Sequence, residues 1–475
     1  MGNKYQFALL LVFSLTTPRL QGQNDPPPKT TGTVKTFTLD QAISFAVANY
    51  PAIRAAQERV LAARAGVNLA RTQYLPRADA AWQSNRATRN NIFGLTLPNS
   101  AFSPISGPVL ATTSDQSVWG SAAGLLFSWE PFDFGYRRAA VEAARSGQRL
   151  AAAESGVTRL DVEVFAANSF MTLLAAQQRV TAAAADVERR KVFSKSVHVL
   201  VDNQLRPGAD ASRADAELAH ARTELFRAEQ SERVSRARLA DTLGIAGTPV
   251  EIDAGGLLQL PPSADPSAQA ASAHPLAVAE QARVSEVRAR EQILDRSYFP
   301  KFNFQSTVFG RGSGANTDGT VAGGLNGLGL ERANWAAGLT ITFPAFDFFS
   351  LRARKEIEKS NERAESARYD QTLQDLAGQL EEARAALEGA RRVAENTPVE
   401  LQAARATETQ VRARYQAGLA TLSDVAEAQS LLVQAETDDA LARLAVWNNL
   451  ASVAAAQGDL QPFIQLLQTK TQGGP

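Results

Sequence analysis

Few side chains in this sequence could carry out catalysis or bind a metal. The three histidines, His198, His220 and His274, lie far apart and have no acidic partner at the spacing of a metal site. Cysteine is absent, which excludes thiol catalysis, disulfides and cysteine-bound zinc. No helix start with a basic or hydroxyl partner follows the glycine-rich stretch 324–329, so this stretch predicts a surface loop and not a phosphate-binding loop. We therefore expect no enzymatic activity, no metal and no cofactor.

The composition limits the partners of the chain. Its 475 residues include 49 basic and 49 acidic side chains, a balance that gives no electrostatic basis for binding nucleic acid. Lys4 and an apolar run over 7–15 predict a signal peptide at 1–22, with a buried amphipathic helix as the alternative. The proline-rich residues after it predict a flexible leader at 23–37. No later segment approaches the roughly 20 apolar residues of a membrane-spanning helix.

The chain contains two copies of one pattern. In each copy 25 positions separate two prolines, the pairs being Pro51 with Pro76 and Pro275 with Pro300. From a Phe-Asp-Phe element onward the copies keep an offset of 214 positions, as from Asp133 to Asp347. A tandem duplication explains both regularities. The predicted divisions are a first repeat at 38–245, a connecting equatorial segment at 246–270, a second repeat at 271–457 and a tail at 458–475.

Each repeat contains a predicted strand hairpin, at 77–130 and at 301–344. Apolar and polar residues alternate there with a period of two over about ten residues, which is typical of a strand with one apolar face. Such a strand is long enough to cross a bilayer when tilted. Large aromatic residues cluster at the hairpins as in the aromatic girdles of outer-membrane barrels, and the alternative is a soluble sandwich core. The predicted membrane belt consists of Trp82, Trp119, Trp129, Trp335 and Phe343.

Long helices follow the hairpins. The first extends from about 134 to 201, roughly 100 Å at 1.5 Å per residue, and carries two apolar seams that require a neighbour on each flank. Each long helix turns, near 206 and near 418, and returns as a helix about 30 residues too short to cover it. The helix before each hairpin would fill this deficit if it stacked end to end on the returning helix.

At this point the chain resembles the TolC-like outer-membrane efflux family along nearly all of its mature length. The motifs that carry the resemblance are Leu39-Asp40-Gln41-Ala42, Asn49-Tyr50-Pro51, Leu75-Pro76, Phe132-Asp133-Phe134-Gly135, Tyr298-Phe299-Pro300 and Tyr415-Gln416-Ala417-Gly418. The resemblance implies an α+β membrane protein that forms a homotrimer. Each subunit would contribute four strands to one transmembrane β-barrel in the outer membrane, and its helices to one long periplasmic tunnel. Four strands cannot close a barrel alone, so the sequence itself already requires several copies.

The resemblance also places functional residues at the two helical turns. The turns would dock a periplasmic adaptor protein, itself bound to an inner-membrane pump, through Leu205, Gly208, Gly418 and Leu419. Acidic residues of the second turn would line a constricted gate, and the repeat offset adds charged residues of the first turn. The predicted gate residues are Arg206, Asp210, Arg213, Asp424 and Glu427. The hypothesis is that Arg206 or Arg213 pairs with Asp424 or Glu427 to hold the gate closed, and the alternative is a solvated charged turn.

These observations predict a passive exit duct of a tripartite efflux or type I secretion system. The loops of the two strand hairpins would face the cell exterior. They extend from Asn90 to Val118 and from Arg311 to Asn334. The competing hypothesis is a structural or adhesive coiled-coil protein of the envelope. That hypothesis accounts for the helices and the export signal. It does not account for two aromatic hairpins at equivalent points of a duplication.

Overall fold

The computed structural model describes residues 35–88, 116–262, 270–316, 320–344 and 346–472. The predicted signal peptide, most of the leader and most of the first hairpin loop lie outside these residues. The helices are α1 Leu39–Asn49, α2 Pro51–Thr72, α3 Tyr136–Asp202, α4 Gly208–Thr242, α5 Pro275–Arg296, α6 Phe348–Gln416, α7 Leu422–Gln457 and α8 Gln461–Gln472. The strands are β1 Lys35–Phe37, β2 Arg77–Thr88, β3 Ser117–Phe132, β4 Val250–Ile252, β5 Lys301–Ser313 and β6 Arg332–Thr342. None of these helices combines the length and the apolar character of a bilayer span.

The two hairpins form one antiparallel sheet in the order β2-β3-β5-β6. The strands of different repeats meet at β3 and β5, where Leu125 pairs with Val308. The register between them shifts by one residue between Trp129 and Phe132. This bulge contains Pro131, whose nitrogen cannot donate to a ladder. The stretch 324–329 is a loop, as predicted, and the Gly327 carbonyl accepts a hydrogen bond of 2.7 Å from the Ser121 hydroxyl.

The long helices are covered as the sequence predicts. α3 has 67 residues, and it packs against α2 and α4 on one flank and against α5 and α7 on the other. α6 has 69 residues and packs mainly against α5 and α7. The shorter helices have 22 and 35 residues in the first repeat, and 22 and 36 in the second. Each short pair therefore supplies almost the length of one long helix.

Equivalent glycines join the short helices end to end. Gly244 follows α4 with a φ of +72°, and Gly458 follows α7 with a φ of +84°. Both occupy the left-handed position of a helix C-terminal turn, which glycine adopts without steric cost. A Cβ at Gly244 would lie 3.2 Å from the Asn49 carbonyl oxygen, and one at Gly458 would lie 2.6 Å from Cδ of Pro275. Each returning helix thus ends against the first turn of the helix that precedes the hairpin.

The largest apolar core surrounds these junctions. It joins α1, the middle of α3, the ends of α4 and α7 and the connecting segment, with Phe170, Leu173 and Trp447 fully buried. One predicted boundary needs correction. Lys35–Phe37, assigned to the flexible leader, form β1 and pair in parallel with β4. Within the predicted tail, Gln461–Gln472 form α8, and Phe463 of this helix packs edge-on against Trp447 at 6.3 Å.

The glycine junction can be tested by stability. Gly458→Ala places a methyl group against Pro275 and forces a left-handed φ on alanine, a combination that should cost about 2 kcal/mol or more. The matched control is Gly389→Ala inside α6, where nothing lies within 4 Å of the added Cβ. That control should be neutral or stabilising by up to about 1 kcal/mol. Urea unfolding of both variants provides the measurement, and equal stabilities would contradict the close-approach explanation.

Candidate functional site

The sheet has one apolar and one polar face. Residues paired directly across strands share a face, so Leu125, Val308 and Trp335 lie side by side. These side chains are exposed by 61%, 62% and 78%, values that would be unusual for a core. The opposite face carries polar side chains, and the Ser128 hydroxyl donates a hydrogen bond of 3.3 Å to Asn303 there. Within the described residues, β2 and β6 are unpaired along their outer edges.

The predicted belt residues belong to the apolar face or its margin. Trp82 and Phe343 are exposed by 76% and 64%, whereas Trp119 is half-buried and lies under the guanidinium of Arg86. At the helical end of the sheet, the indole N–H of Trp129 donates to the Tyr74 carbonyl at 3.2 Å. An exposed ring with one satisfied polar atom suits the boundary between an apolar and an aqueous phase.

A buried ion pair connects the sheet to the helices in the first repeat. The Asp133 carboxylate accepts from the Gly135 N–H at 3.0 Å and from the Arg137 backbone and side chain at 2.8 and 2.7 Å. Arg137 also donates to the Gln73 carbonyl at 3.2 Å, so it joins the start of α3 to the end of α2. Burial disfavours the charged form of Asp133, but these hydrogen bonds outweigh burial and lower its pKa. Only the first repeat has this contact, because Leu351 occupies the second-repeat position of Arg137.

The two helical turns at the other end of the long helices have the same backbone geometry. Gln204 has a φ of +59° and its repeat equivalent Gly418 a φ of +81°. Each turn is closed by a hydrogen bond across six residues, from the Leu205 N–H to the Leu200 carbonyl and from the Leu419 N–H to the Arg414 carbonyl. Both leucines are 69% exposed. Of the other two predicted tip residues, Gly418 forms the second turn and Gly208 begins α4.

A tyrosine brings two predicted gate residues together. The Arg206 guanidinium lies 4.3 Å from the ring centre of Tyr415 and donates to the Tyr415 carbonyl. The Tyr415 hydroxyl donates to the Asp210 carboxylate at 3.1 Å. Tyr415 is buried, and burial followed by the contact with Asp210 raises its pKa to about 12, so its hydroxyl stays protonated near neutral pH. The end of α6 is thereby fastened to the turn between α3 and α4.

The remaining gate residues are arranged differently from the hypothesis. Asp424 accepts from the Thr421 N–H at 2.8 Å and belongs to the capping box of α7, and this backbone hydrogen bond lowers its pKa. Arg213, Asp424 and Glu427 are exposed. In the described part of the chain, no ion pair joins Arg206 or Arg213 to these acids. Within one subunit Tyr415 engages Arg206 and a helix cap engages Asp424, so the predicted pairing stays a prediction.

Sequence reasoning named Tyr415 only as part of a family motif, and it missed both the contacts of Tyr415 and a second connection between the helical hairpins. Tyr415 was visible as a difference between the repeats, since the offset places Val201 at its position. The second connection uses Arg190, which is buried and donates to Glu217 on α4 at 2.7 Å and to Ser430 on α7 at 3.0 Å. Beside it, Arg189 contacts Glu436 of α7 at 2.9 Å. No spacing in the sequence identifies partners that are more than 200 residues apart.

His274 is buried at the junction of α5 and α7. Its Nδ1 accepts from the Leu276 N–H at 3.1 Å as the N-cap of α5, and its Nε2 lies 3.2 Å from the Ala455 carbonyl. These contacts require the neutral ring, and burial lowers its pKa. His274 thus has a structural role. Within the described residues, no group of histidine and acidic side chains could hold a metal ion.

Comparisons with known proteins agree with this geometry. The family model described as outer membrane efflux protein matches residues 42–245 and 267–459. Protein CyaE of Bordetella pertussis is 25% identical over 455 residues, which cover 94% of this chain and 90% of that protein. The CmeC outer membrane channel of Campylobacter jejuni has a TM-score of 0.70 at 16% identity, covering 91% of this chain and 89% of that one. The open state of the Neisseria gonorrhoeae MtrE outer membrane channel has a TM-score of 0.70 at 20% identity, with 89% of both chains covered.

The buried ion pair at the sheet junction predicts a pH-dependent loss of stability. Arg137→Leu leaves Asp133 buried without its counter-charge and should lower the free energy of unfolding by about 3 kcal/mol at neutral pH. Because the folded pKa of Asp133 is lowered, its contribution is complete above the unfolded value of about 3.9 and is lost as the pH falls through the folded value. The difference from wild type should therefore shrink in acid. The control Arg54→Leu changes an exposed arginine and should stay within about 0.5 kcal/mol. A difference that is constant down to pH 2 would argue against the pair.

Proposed function

The chain belongs to the outer membrane efflux protein family and is an outer-membrane exit channel, and we propose how its subunits build and gate that channel. Three copies of the four-stranded sheet would close one 12-stranded barrel, and their helices would continue it as a tunnel. One observation carries this proposal, the unpaired edges of β2 and β6 on a sheet whose apolar face is exposed. Open edges are not tolerated in lipid, and four strands are too few to close a barrel. The number three follows the family.

The flanks of the helical layer support the same closure. α2 and α4 continue below β2 and pack mainly on α3. α6 continues from β6 and packs mainly on α5 and α7, and no other described helix packs extensively on its outer flank. Both flanks expose large apolar side chains at more than half of their surface. They are Leu61, Leu69 and Phe226 on one flank and Ile357, Val393 and Val399 on the other. Contact between the flanks of neighbouring copies would bury these residues together with the strand edges.

The dimensions of the sheet suit a bilayer. Ten residues of β3 separate Trp119 from Trp129, which is about 33 Å along the strand. At a tilt of about 40° this length corresponds to a height of about 25 Å, the thickness of the apolar band on outer-membrane barrels. The two tryptophans would thus lie at opposite membrane boundaries, with the apolar face toward lipid and the polar face toward a water-filled passage.

The competing proposal of a structural or adhesive envelope protein requires no water-filled passage. Single-channel recording of the purified protein in a planar bilayer separates the two proposals. We expect discrete conductance steps, because the polar face lines the closed barrel. Purified trimers that insert into the bilayer without conducting under any condition would contradict the channel proposal.

The proposed gate is a latch formed by Arg206, Asp210 and Tyr415 in each subunit. It holds the end of α6 against the neighbouring hairpin, so the tip of α6 and α7 cannot move outward while it is closed. The exposed acids Asp424 and Glu427 would lie toward the passage and repel anions. Arg213 is exposed as well, and its predicted pairing with these acids would form between neighbouring subunits.

Tyr415→Phe tests the latch. The variant keeps the ring under Arg206 and loses the hydroxyl bond to Asp210, a bond to a charged group that contributes about 1.5–3 kcal/mol. The ratio of open to closed channels should rise about tenfold or more, since 1.4 kcal/mol corresponds to a factor of ten. Tyr369→Phe, on the same helix and far from the turn, is the control. Bilayer conductance at low and high salt provides the measurement, and channels as closed as the wild type would exclude the latch. The same recording of Asp424→Ala/Glu427→Ala tests the exposed acids.

The exposed leucines of the two turns are the proposed docking points for the periplasmic adaptor. Two apolar side chains held in identical turns at the end of a helical assembly provide repeated anchor points for a helical partner. Their exposure within one subunit is unfavourable unless a partner covers them.

Leu205→Asp/Leu419→Asp should abolish export and adaptor binding while leaving assembly of the trimer intact, because the turns themselves are held by backbone hydrogen bonds. The control Gln204→Asp/Gln416→Asp adds the same charge to the same turns and keeps both leucines. Crosslinking to the adaptor in cells, together with an export assay, provides the measurement. Normal export by the leucine variant, or equal loss in the control, would contradict docking through the leucines.

A further inference from the structure

A groove lies directly below the helical end of the sheet. It has a volume of about 980 Å³ and is bounded by α2, α3 and α5. Its upper part is aromatic, formed by Tyr74, Phe132 and Phe134. Phe132 pairs with Phe302 and therefore belongs to the apolar face of the sheet. The groove consequently opens on the side of the molecule that the proposed function turns toward lipid.

The lower part of the groove is strongly basic. Four arginines line it, against two carboxylates that already have basic partners. Glu142 accepts from Arg145 at 3.3 Å and from Arg149 outside the groove at 2.9 Å, and Asp295 accepts from Lys355. The other lining arginines, Arg71, Arg138 and Arg296, have no carboxylate partner in the described part of the chain. The Arg71 side chain donates a hydrogen bond of 3.5 Å to the Asn68 side chain.

The level of the groove identifies what meets these arginines. Trp129 ends the apolar band on this side, and its indole N–H donates to Tyr74, which lines the groove. The basic part therefore lies just outside the apolar band, on its helical side, at the depth of the headgroups of the periplasmic leaflet. Arginine forms bidentate hydrogen bonds with phosphate oxygens, and basic pockets at this depth bind anionic headgroups.

We propose that this groove binds an anionic phospholipid of the inner leaflet of the outer membrane. Arg138, Arg296 and Arg71 hold the phosphodiester. The acyl chains extend over the aromatic upper part of the groove onto the apolar face of the sheet. The net positive charge of the lining favours phosphatidylglycerol-type headgroups over zwitterionic ones. The lipid would join α2, α3 and α5 at the level where the barrel meets the tunnel. This inference rests on the membrane orientation given under the proposed function.

The test uses the full-length trimer, delipidated in detergent and titrated with palmitoyl-oleoyl phosphatidylglycerol (POPG) or the corresponding phosphatidylethanolamine (POPE), with bound lipids counted by native mass spectrometry. Arg138→Gln/Arg296→Gln is the test variant. The matched control is Arg54→Gln/Arg222→Gln, which removes the same charge from exposed positions outside the groove. Arg54 precedes Arg71 by 17 residues of α2, or about 25 Å.

Wild type and control should bind POPG more tightly than POPE. The test variant should bind POPG about 25-fold more weakly than wild type, because each of the two lost arginines contributes roughly a factor of five to the affinity. Equal POPG affinity in wild type and test variant, equal loss in the control, or preference for POPE would overturn the proposal. A further arm adds inorganic phosphate without lipid and follows hydrogen–deuterium exchange of α2, α3 and α5. Protection by phosphate equal to that by POPG would assign the groove to free phosphate and contradict the lipid.

Bilayer recording of the same preparations separates this inference from the proposed function. Conducting channels with unchanged POPG affinity in the test variant would contradict only the lipid site. Wild-type protein that opens no channel would contradict the proposed function, on which the lipid orientation depends.

Discussion

The need to cover two helices of nearly 70 residues along their whole length governs this structure. A helix of about 100 Å gains little from its own hydrogen bonds and depends on packing along its apolar seams. The chain meets this need by stacking two shorter helices against each long one, and the positive φ of Gly244 and Gly458 makes the close junction possible. The junctions leave helix ends in the middle of the molecule. There β1, β4, α1 and α8 assemble around them into the largest core.

The duplication supplies the framework, and the differences between the repeats supply the specific contacts. The two turns close with the same hydrogen bonds and present the same exposed leucine. By contrast, the ion pair of Asp133 with Arg137 and the latch of Tyr415 exist once per chain, because Leu351 and Val201 occupy the equivalent positions. One hairpin junction is therefore fixed by a buried charge pair, while the other has exposed aromatic residues at the flank proposed to meet a neighbouring copy.

The sheet and the helical turns at the opposite end of the molecule both expose apolar side chains that a binding partner would cover. At the sheet, the proposed partners are lipid and the next subunit, and at the turns the proposed partner is the adaptor. The arginines of the groove that lack a carboxylate partner fit the same pattern, since an anionic headgroup would pair with them. Exposed apolar and unpaired basic groups cost solubility or stability in an isolated chain, and their concentration at these three places supports the proposed contact surfaces.

The sequence by itself determined the repeats, the four strands with their apolar face, the long helices with two seams and the exposed leucines at the turns. These features follow from local periodicity and from chain length, which a sequence displays directly. It did not determine what Arg206, Asp210 and Asp424 contact. Hydrogen-bond partners more than 200 residues apart depend on how the hairpins pack, and an alternative acceptor close by, such as the cap at Thr421, competes with any distant pair. Only the tertiary structure showed that residues 35–37 form a strand and that the tail contains a helix. Both segments are ordered by the core that forms where the stacked helices end, and not by their own sequence pattern.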